Sequence, residues 1–283
     1  AMARVKGTAG RRADRIGDIH RRADPRHHLV GPSSFIVADV CLEEKAMTGA
    51  QRRSFFSLSL DELPSTLPIF PLTGVLLLPG GKLPLHIFEP RYLNMMRDAI
   101  AADRLIGIIQ PRDGSGLEGL TPDSDTDDVP VYSTGCAGRI TAFSETDDGR
   151  MLITLTGICR FTIESEVPTL RGYRRAAANW TAFGRDLADG CGGTTSECID
   201  RSRLTDSLQA YFRKHGLKID WEAVCHAPDG ALVTTLAMIC PFAPQEKQAL
   251  LETLSLTDRA TLMADLIQMN LHEDLSGPVG CVH

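Results

Sequence analysis

"LPIFPLTGVLLLPGGKLPLHIFEPRYLNMM", residues 67–96, is the stretch of this chain that decides the fold. Its middle part, KLPLHIF, alternates Leu83, Leu85 and Ile87 with polar or small residues, a period of two that is typical of a β-strand. Pro84 has no amide hydrogen, so it indicates an edge strand or a bulge. The preceding LPIFPL is a second short extended segment. The stretch therefore predicts two strands joined by a turn at the Gly-Gly pair.

The pentapeptide FEPRY marks the change from strand to helix. Pro90 suits a first helical turn, where its missing N–H costs nothing. We expect Glu89 to accept hydrogen bonds from the free amides of that turn, and Arg91 to pair with Glu89 or with a strand carboxylate. Phe88 and Tyr92 are expected to pack as a brace, or else to offer their exposed edges to a peptide groove. The helix then continues with Tyr92, Leu93, Met96 and Ile100 at helical spacing.

Strand patterns continue to about residue 183. Residues 104–111 predict a buried strand, and four further strand-like segments follow a loop rich in glycine and acids. In the longest of these, Met151, Ile153 and Leu155 share one face, whereas Arg160 is expected to alternate outward. Beyond residue 184 the apolar period becomes 3.6, as in the stripe of Leu204, Leu208, Tyr211 and Phe212. Strands first and helices afterwards predict an α+β fold of two layers or subdomains.

Composition shifts divide the chain into four parts. Residues 1–60 are expected to be disordered, or to be a mis-assigned N-terminal extension with translation beginning at Met47. The first 53 residues hold 11 Lys and Arg against 6 Asp and Glu, and these acids argue against an organelle transit peptide. The other three predicted parts are a strand region at 61–183, a helical bundle at 184–275 and a tail at 276–283.

The composition is that of an ordinary globular protein, with 43% hydrophobic residues, 23% charged residues and a net charge of −6. The eight cysteines include no CxxC pair. Because no secretory signal is recognised, we expect free thiols and a cytoplasmic location. No run of roughly 18 apolar residues occurs, which argues against a membrane-spanning helix.

Three short motifs invite a catalytic or metal-binding interpretation, and none fits. The Gly-Gly-Lys ending at Lys82 lacks the spacing and the hydroxyl of a phosphate-binding loop, so a tight turn is expected. Ser115 has no G-x-S-x-G frame and lies in an acidic loop. DSDTDD, at 123–128, places Asp128 and Thr134 where a calcium-binding EF-hand needs Gly and Glu. We therefore expect no cofactor, no metal site and no catalytic residues.

The quoted stretch resembles the opening of the Lon protease N-terminal domain family, also called the LON substrate-binding domain. In that family an L-P-l-F-P-L strand, a P-G turn and an L-P-L strand lead through F-E-P-R-Y into a helix. ITLTGICRFTI is similar to the family's strand pair around a G-x-x-R core, with Arg160 at the arginine. PQEKQALLETLSLTDRATLMADLI is similar to its helical part. The likeness covers about residues 65–273 and implies a PUA-like mixed β pseudo-barrel followed by a small C-terminal helical bundle.

The resemblance also implies a function. Full Lon proteases carry Walker motifs and a Ser-Lys catalytic dyad, and neither is recognised in this chain. We therefore expect a stand-alone, non-catalytic domain that binds unfolded segments, peptides or a partner protein, with an adaptor-like role in proteolysis or quality control. A homodimer is left open. The candidate peptide- or partner-binding residues are Phe88, Glu89, Arg91, Tyr92 and Arg160.

Two other classes of function are kept as alternatives. PUA-like barrels elsewhere bind RNA, but the chain after residue 53 has 19 Lys and Arg against 30 Asp and Glu, a balance of −11. Nucleic-acid affinity depends largely on neutralising phosphates, so this balance is unfavourable, with RGYRRAAANW at 171–180 as the one basic and aromatic patch. The second alternative is a hydrolase with an unrecognised site, for which no nucleophile with a paired base is found.

Overall fold

The computed structural model describes residues 59–112, 129–168, 171–188, 199–216 and 220–273. The strands in these ranges are β1 (Thr66–Pro71), β2 (Lys82–Ile87), β3 (Leu105–Ile109), β4 (Thr134–Glu145), β5 (Met151–Val167) and β6 (Arg175–Asn179). The helices are α1 (Pro90–Ala101), α2 (Arg185–Ala188), α3 (Arg201–Lys214), α4 (Trp221–His226), α5 (Asp229–Ile239), α6 (Pro244–Glu252) and α7 (Leu256–Glu273). The predictions for the N-terminal extension, the acidic loop and the tail concern residues outside these ranges.

The strands form one mixed sheet in the order β2-β5-β4-β3-β1-β6. β5 pairs with β6 as well as with β4, so five strands close into a ring and β2 extends the sheet outside it. The length of β5 makes this possible, because its first residues pair with β2 and its last residues pair with β6. β1 and β3 run parallel, and the other pairs are antiparallel. The prediction of an α+β fold with a mixed β pseudo-barrel followed by helices is confirmed.

The inside of the ring is filled by one hydrophobic cluster. Phe161 on β5 is fully buried there. Gly107 and Gly135 make room for it, since a Cβ on either would lie 2.7 or 2.8 Å from Phe161 Cζ. The Trp180 ring packs on Phe161 with 5.6 Å between centroids, and its indole N–H donates to the Pro64 carbonyl at 3.0 Å. The interior of the ring is therefore filled by packed side chains, as in an ordinary protein core.

A second hydrophobic cluster joins the other face of the sheet to the helices. It contains Ile106 and Ile108 of β3 together with Leu208 of α3 and Leu236 of α5, all of them buried. One continuous cluster thus includes residues from strands and helices alike. The helices do not have a separate core; they cover the sheet, and this shared packing holds α5 and α6 against it.

The local predictions are confirmed in part. β3 is buried along its whole length, and the predicted stripe of α3 is buried at all four positions. In the described ranges three strands, not four, follow the acidic loop, because the first predicted segment, 129–135, contributes only Thr134 and Gly135 to β4. The buried face of α1 is also different from the prediction. Leu93 and Ile100 are only partly buried, and the buried residues are Tyr92, Met95, Met96 and Ala99.

Candidate functional site

The junction between β2 and α1 holds four of the five candidate residues, and Phe88 is the exposed one. Its side chain is 59% exposed, and its ring lies 6.1 Å from the ring of His86. Leu152 of β5 is the cross-strand partner of His86 and is also exposed. We name His86, Phe88 and Leu152 the β2–β5 patch. It is an apolar and aromatic surface at the end of the sheet.

Glu89 is the residue that caps the start of α1, but its side chain makes no hydrogen bond to the helix amides. The expectation that its carboxylate accepts amide hydrogen bonds is wrong. The carboxylate is occupied by Arg91, whose Nε and Nη2 donate to Glu89 Oε2 at 2.9 and 2.7 Å. The predicted pairing of these two residues is confirmed. Both side chains keep about a quarter of their surface exposed, beside Phe88.

Tyr92 lies inside the protein, away from Phe88. Its ring packs on Phe70 with 4.1 Å between centroids, and the Arg91 guanidinium lies 4.7 Å above it. Only 6% of Tyr92 is exposed. Phe88 and Tyr92 therefore do not share an exposed edge, and a peptide on the surface would meet Phe88 and Arg91 without reaching the Tyr92 ring.

Arg160 is buried as well, although it was expected to point outward. It does lie on the face of β5 opposite Phe161, but α2 and the end of α6 cover that face. Its Nε and Nη2 donate to the two carboxylate oxygens of Asp186 at 2.9 and 2.8 Å. Its Nη1 donates to the carbonyls of Leu251 and Thr253 at 2.9 and 2.6 Å. Arg160 thus joins the ring to two helices. Its side chain is buried, and its role in binding a partner stays a prediction.

The second edge of β2 is free among the described residues, because β2 pairs only with β5. The Gly157 amide donates to the Gly81 carbonyl at 2.8 Å, so the backbone of Gly81 faces β5. In an antiparallel pair, successive residues point their N–H and C=O groups alternately toward the partner strand and away from it. The N–H and C=O of Lys82 therefore point away from β5. The same alternation turns Pro84 and His86 toward the free side. Pro84 has no N–H to offer there, which limits pairing along this edge.

A narrow crevice of about 60 Å³ opens beside the start of β2. It is lined by the Gly74–Leu76 segment, by the first residues of β2, and by α5 and α6. Lys247 of α6 is buried in its wall, and its Nζ donates to the Gly74 carbonyl at 2.7 Å. Burial lowers the pKa of Lys247 below its ordinary value. Lys247 is thus a buried amine in the wall of the crevice, in addition to the partly exposed ion pair of Glu89 and Arg91 at the start of α1.

Sequence reasoning did not find Leu152 or Lys247. A signal existed for Leu152, because it stands between Met151 and Ile153 at a position where the strand alternation calls for a polar residue. Lys247 had no such signal, since the Gly74 carbonyl that it contacts lies far away in the sequence. Long-range contacts of this kind are not visible in a local pattern.

The other motifs give no catalytic arrangement. The Gly-Gly-Lys motif is a turn, as predicted: Gly80 has φ +78° and the Gly81 amide donates to the Leu78 carbonyl. Ser115 and the DSDTDD loop lie outside the described residues. Within the described ranges, no group of three or more His, Cys, Asp or Glu could hold a metal ion. In that same part of the chain, we find no helix that is both long and apolar enough to cross a membrane.

Comparisons with known proteins agree with these features. The family model for the "ATP-dependent protease La (LON) substrate-binding domain" matches residues 66–269. "Lon protease 2" of Myxococcus xanthus is 24% identical over 213 residues, which cover 74% of this chain and 24% of that protein. "Lon protease" of Anaeromyxobacter dehalogenans is 23% identical over 217 residues, with the same two coverages. The chain thus spans about a quarter of the length of these curated relatives.

Solved structures of Lon N-terminal domains also align with the chain. The "Lon N-terminal domain protein from Xanthomonas campestris" aligns with a TM-score of 0.49 and 19% identity. The alignment covers 71% of this chain and 98% of that one.

The matched family model, by its own description, is a domain for binding substrates, whereas no catalytic domain is part of the match.

Proposed function

The chain belongs to the ATP-dependent protease La (LON) substrate-binding domain family, and from this premise we propose that it binds unfolded protein segments through the β2–β5 patch and the free edge of β2. In this proposal it contributes binding and no catalysis, as an adaptor in proteolysis or protein quality control. The observation that carries the proposal is the exposure of Phe88 and Leu152 beside an unpaired strand edge.

The patch has the properties that a peptide needs. Single exposed apolar residues are common on any protein surface, so neither Phe88 nor Leu152 would be informative alone. Here the Phe88 ring, just after β2, lies near the His86 ring, and Leu152 is the cross-strand partner of His86, so His86 connects the two apolar side chains. An extended segment on the edge of β2 would gain backbone hydrogen bonds there and place alternate side chains on the patch.

The ion pair of Glu89 and Arg91 borders the patch. Its partly exposed charges would form a polar rim around the apolar contact, which orients a bound segment more than it adds affinity. Tyr92 and Arg160 take a different part in the proposal. They hold α1 and the helical layer against the ring, and so keep the patch in place without contacting the ligand.

The chemistry of the ligand follows from the surface. Unfolded polypeptides expose apolar side chains and unpaired backbone groups together, and the patch with its free edge matches both. We also infer a cytoplasmic location, which is supported by the free thiols of the four cysteines in the described ranges. The absence of catalysis is supported by the family match, which is to a substrate-binding domain.

The patch is tested by binding of a permanently unfolded protein, such as reduced, carboxymethylated and fluorescently labelled lysozyme. We expect the double variant Phe88→Ser, Leu152→Ser to bind it about ten-fold or more weakly, because burying a large apolar side chain contributes about 1.5–3 kcal/mol. Leu254→Ser is the matched control, since Leu254 is 70% exposed but lies between α6 and α7. Equal affinity for all three proteins would show that binding does not use the patch.

Catalysis is tested separately. We expect no cleavage of the labelled unfolded protein by the purified chain, with or without ATP and magnesium, over hours of incubation. ATP-stimulated cleavage by the isolated chain would contradict the proposal that it only binds. A dimer is tested by light scattering at several concentrations, and the binding proposal does not depend on its outcome.

A further inference from the structure

The crevice at the start of β2 has a charge that sets it apart from the rest of the chain. The protein has a net charge of −6. Two lysines line the crevice, with Lys247 buried in the wall and Lys82 exposed at the opening, and none of its described lining residues carries a carboxylate. Its other walls are largely apolar and include Val75 and Met238. A small group with a negative charge and an apolar body is complementary to this surface.

The ammonium of Lys247 is not neutralised by the described residues. Its Nζ has three N–H donors, and the Gly74 carbonyl is the one acceptor found for them in the described part of the chain. A buried ammonium without a counter-charge is costly. The lowered pKa of Lys247 has the same cause, because burial disfavours its charged form. A bound carboxylate would supply both the missing charge and the missing acceptors.

The volume limits what the crevice accepts. Since about 10–15 Å³ of such space holds one water, the 60 Å³ present have room for roughly four to six non-hydrogen atoms. A carboxylate with one small apolar side chain is of this size. A phosphate would fit by volume, but it would not use the apolar walls.

The crevice lies at one end of the free edge of β2. Lys82 and Pro84 line the crevice and also belong to the free edge of β2, which continues to His86 and the β2–β5 patch. A segment that runs antiparallel to β2 would start near Phe88 and end at Lys82. The distance is about 20 Å, or some six to seven residues at about 3.3 Å each. The chain end of such a segment would arrive at the mouth of the crevice.

We infer that the crevice binds the free C-terminal carboxylate of a polypeptide whose last residue is small and apolar, with the preceding residues lying antiparallel along β2. This inference rests on the proposed function and adds to it a direction and an end specificity. Lys247 binds the carboxylate, Lys82 attracts it at the opening, and the β2–β5 patch contacts the sixth or seventh residue from the end.

The test uses the full chain and two N-terminally labelled octapeptides of alternating valine and threonine that end in alanine. One peptide has a free C-terminal acid, and the other has a C-terminal amide. Fluorescence anisotropy should show the acid to bind at least about ten-fold tighter, since a hydrogen bond between two charged groups is stronger than one to a neutral amide. Lys247→Met should remove this preference, so that acid and amide bind the variant with equal affinity. Lys82→Gln, at an exposed position, should reduce the preference without removing it.

The outcomes separate this inference from the proposed function. If acid and amide bind the wild-type protein equally, and both lose affinity in Phe88→Ser, Leu152→Ser, then the patch binds peptides and the crevice inference is wrong. If neither peptide binds but the labelled unfolded protein does, the crevice inference is wrong and the proposed function stands; if the unfolded protein does not bind either, both fail. Sodium propionate at millimolar concentration is the third arm of the experiment. If propionate displaces the acid peptide and binds with the same Kd as that peptide, the crevice is a site for small free acids. This result would overturn the inference that it binds the end of a polypeptide. The comparison of acid with amide needs no variant, so it holds even where Lys247→Met does not fold.

Discussion

Arg160 and Asp186 form a two-point ion pair with side chains that are only 4% and 8% exposed. The backbone amide of Arg160 also donates to the Asp186 carboxylate, at 3.0 Å. The pair links β5 to α2, and Arg160 Nη1 donates to the carbonyls of Leu251, in α6, and of Thr253, just after it. A charge buried so deeply is tolerated because each of the three guanidinium nitrogens donates to an acceptor.

Removing one partner of this pair should destabilise the protein strongly. We expect Asp186→Ala to lower the free energy of unfolding by about 3–5 kcal/mol, because the Arg160 charge is left buried and unpaired. Urea denaturation followed by circular dichroism measures the change. Asp148→Ala is the matched control: Asp148 pairs with Arg150 at 2.9 Å on the exposed hairpin between β4 and β5, where solvent screens the charges, so a much smaller loss is expected. Similar losses in both variants would mean that the buried pair is not a main support of the fold.

The ring interior should not accept an additional methyl group. We expect Gly107→Ala to destabilise the protein by about 1–3 kcal/mol, because the new Cβ would overlap the Phe161 ring. The double variant with Phe161→Leu should recover part of this loss, since a smaller side chain frees the space. A double-mutant cycle from urea denaturation gives the coupling. Additive effects, with no recovery, would show that the two residues do not compete for the same space.

Buried thiols predict a loss of stability in alkaline solution. Burial raises the pKa of Cys159 and of Cys240 from about 9 to about 12. The folded state then keeps these protons where the unfolded state releases them, so stability is retained below pH 9 and falls as the pH rises from about 9 toward 12. Each thiol adds up to about 1.4 kcal/mol per pH unit to this fall.

The alkaline fall is measured by urea denaturation between pH 7 and pH 10.5. Cys240→Ala should flatten the curve above pH 9, although the variant has its own cost at pH 7 from the smaller side chain. Only the slope is compared for this reason. An unchanged slope in Cys159→Ala and Cys240→Ala alike would assign the fall to other groups.

Pro84 should protect the free edge of β2 from pairing with other chains. We expect Pro84→Val to restore the missing backbone donor and to increase self-association, because unpaired strand edges recruit further strands. Size-exclusion chromatography at increasing concentration measures this effect. The variant should also bind an extended peptide more tightly, with one more hydrogen bond. A strictly monomeric variant with unchanged peptide affinity would show that the edge takes no part in binding.

The sequence was informative where the pattern is local. The alternation in KLPLHIF predicted β2, and the 3.6 period predicted the buried face of α3. The junction at Pro90 was also predicted correctly, since the residue starts α1. These features depend on neighbours within one turn or one strand, so the local sequence is enough to predict them.

Long-range contacts decided the cases in which prediction failed. Arg160 follows the outward alternation of β5, and only the packing of α2 and α6 turns this position into an interior one. Glu89 has the right place for a helix cap, but Arg91 competes for its carboxylate. The crevice combines residues from β2, α5 and α6. No sequence pattern reports such combinations, because they arise when distant segments meet.

The closing strand of the ring has a consequence for synthesis of the protein. β6 pairs with β1 on one side and with β5 on the other, so β1 is completed only after residue 179 has left the ribosome. A nascent chain without β6 leaves one edge of β1 and one edge of β5 unpaired, and strand edges of this kind attract aggregation and chaperones. The time between the emergence of β1 and that of β6 from the ribosome thus sets how long both edges are exposed.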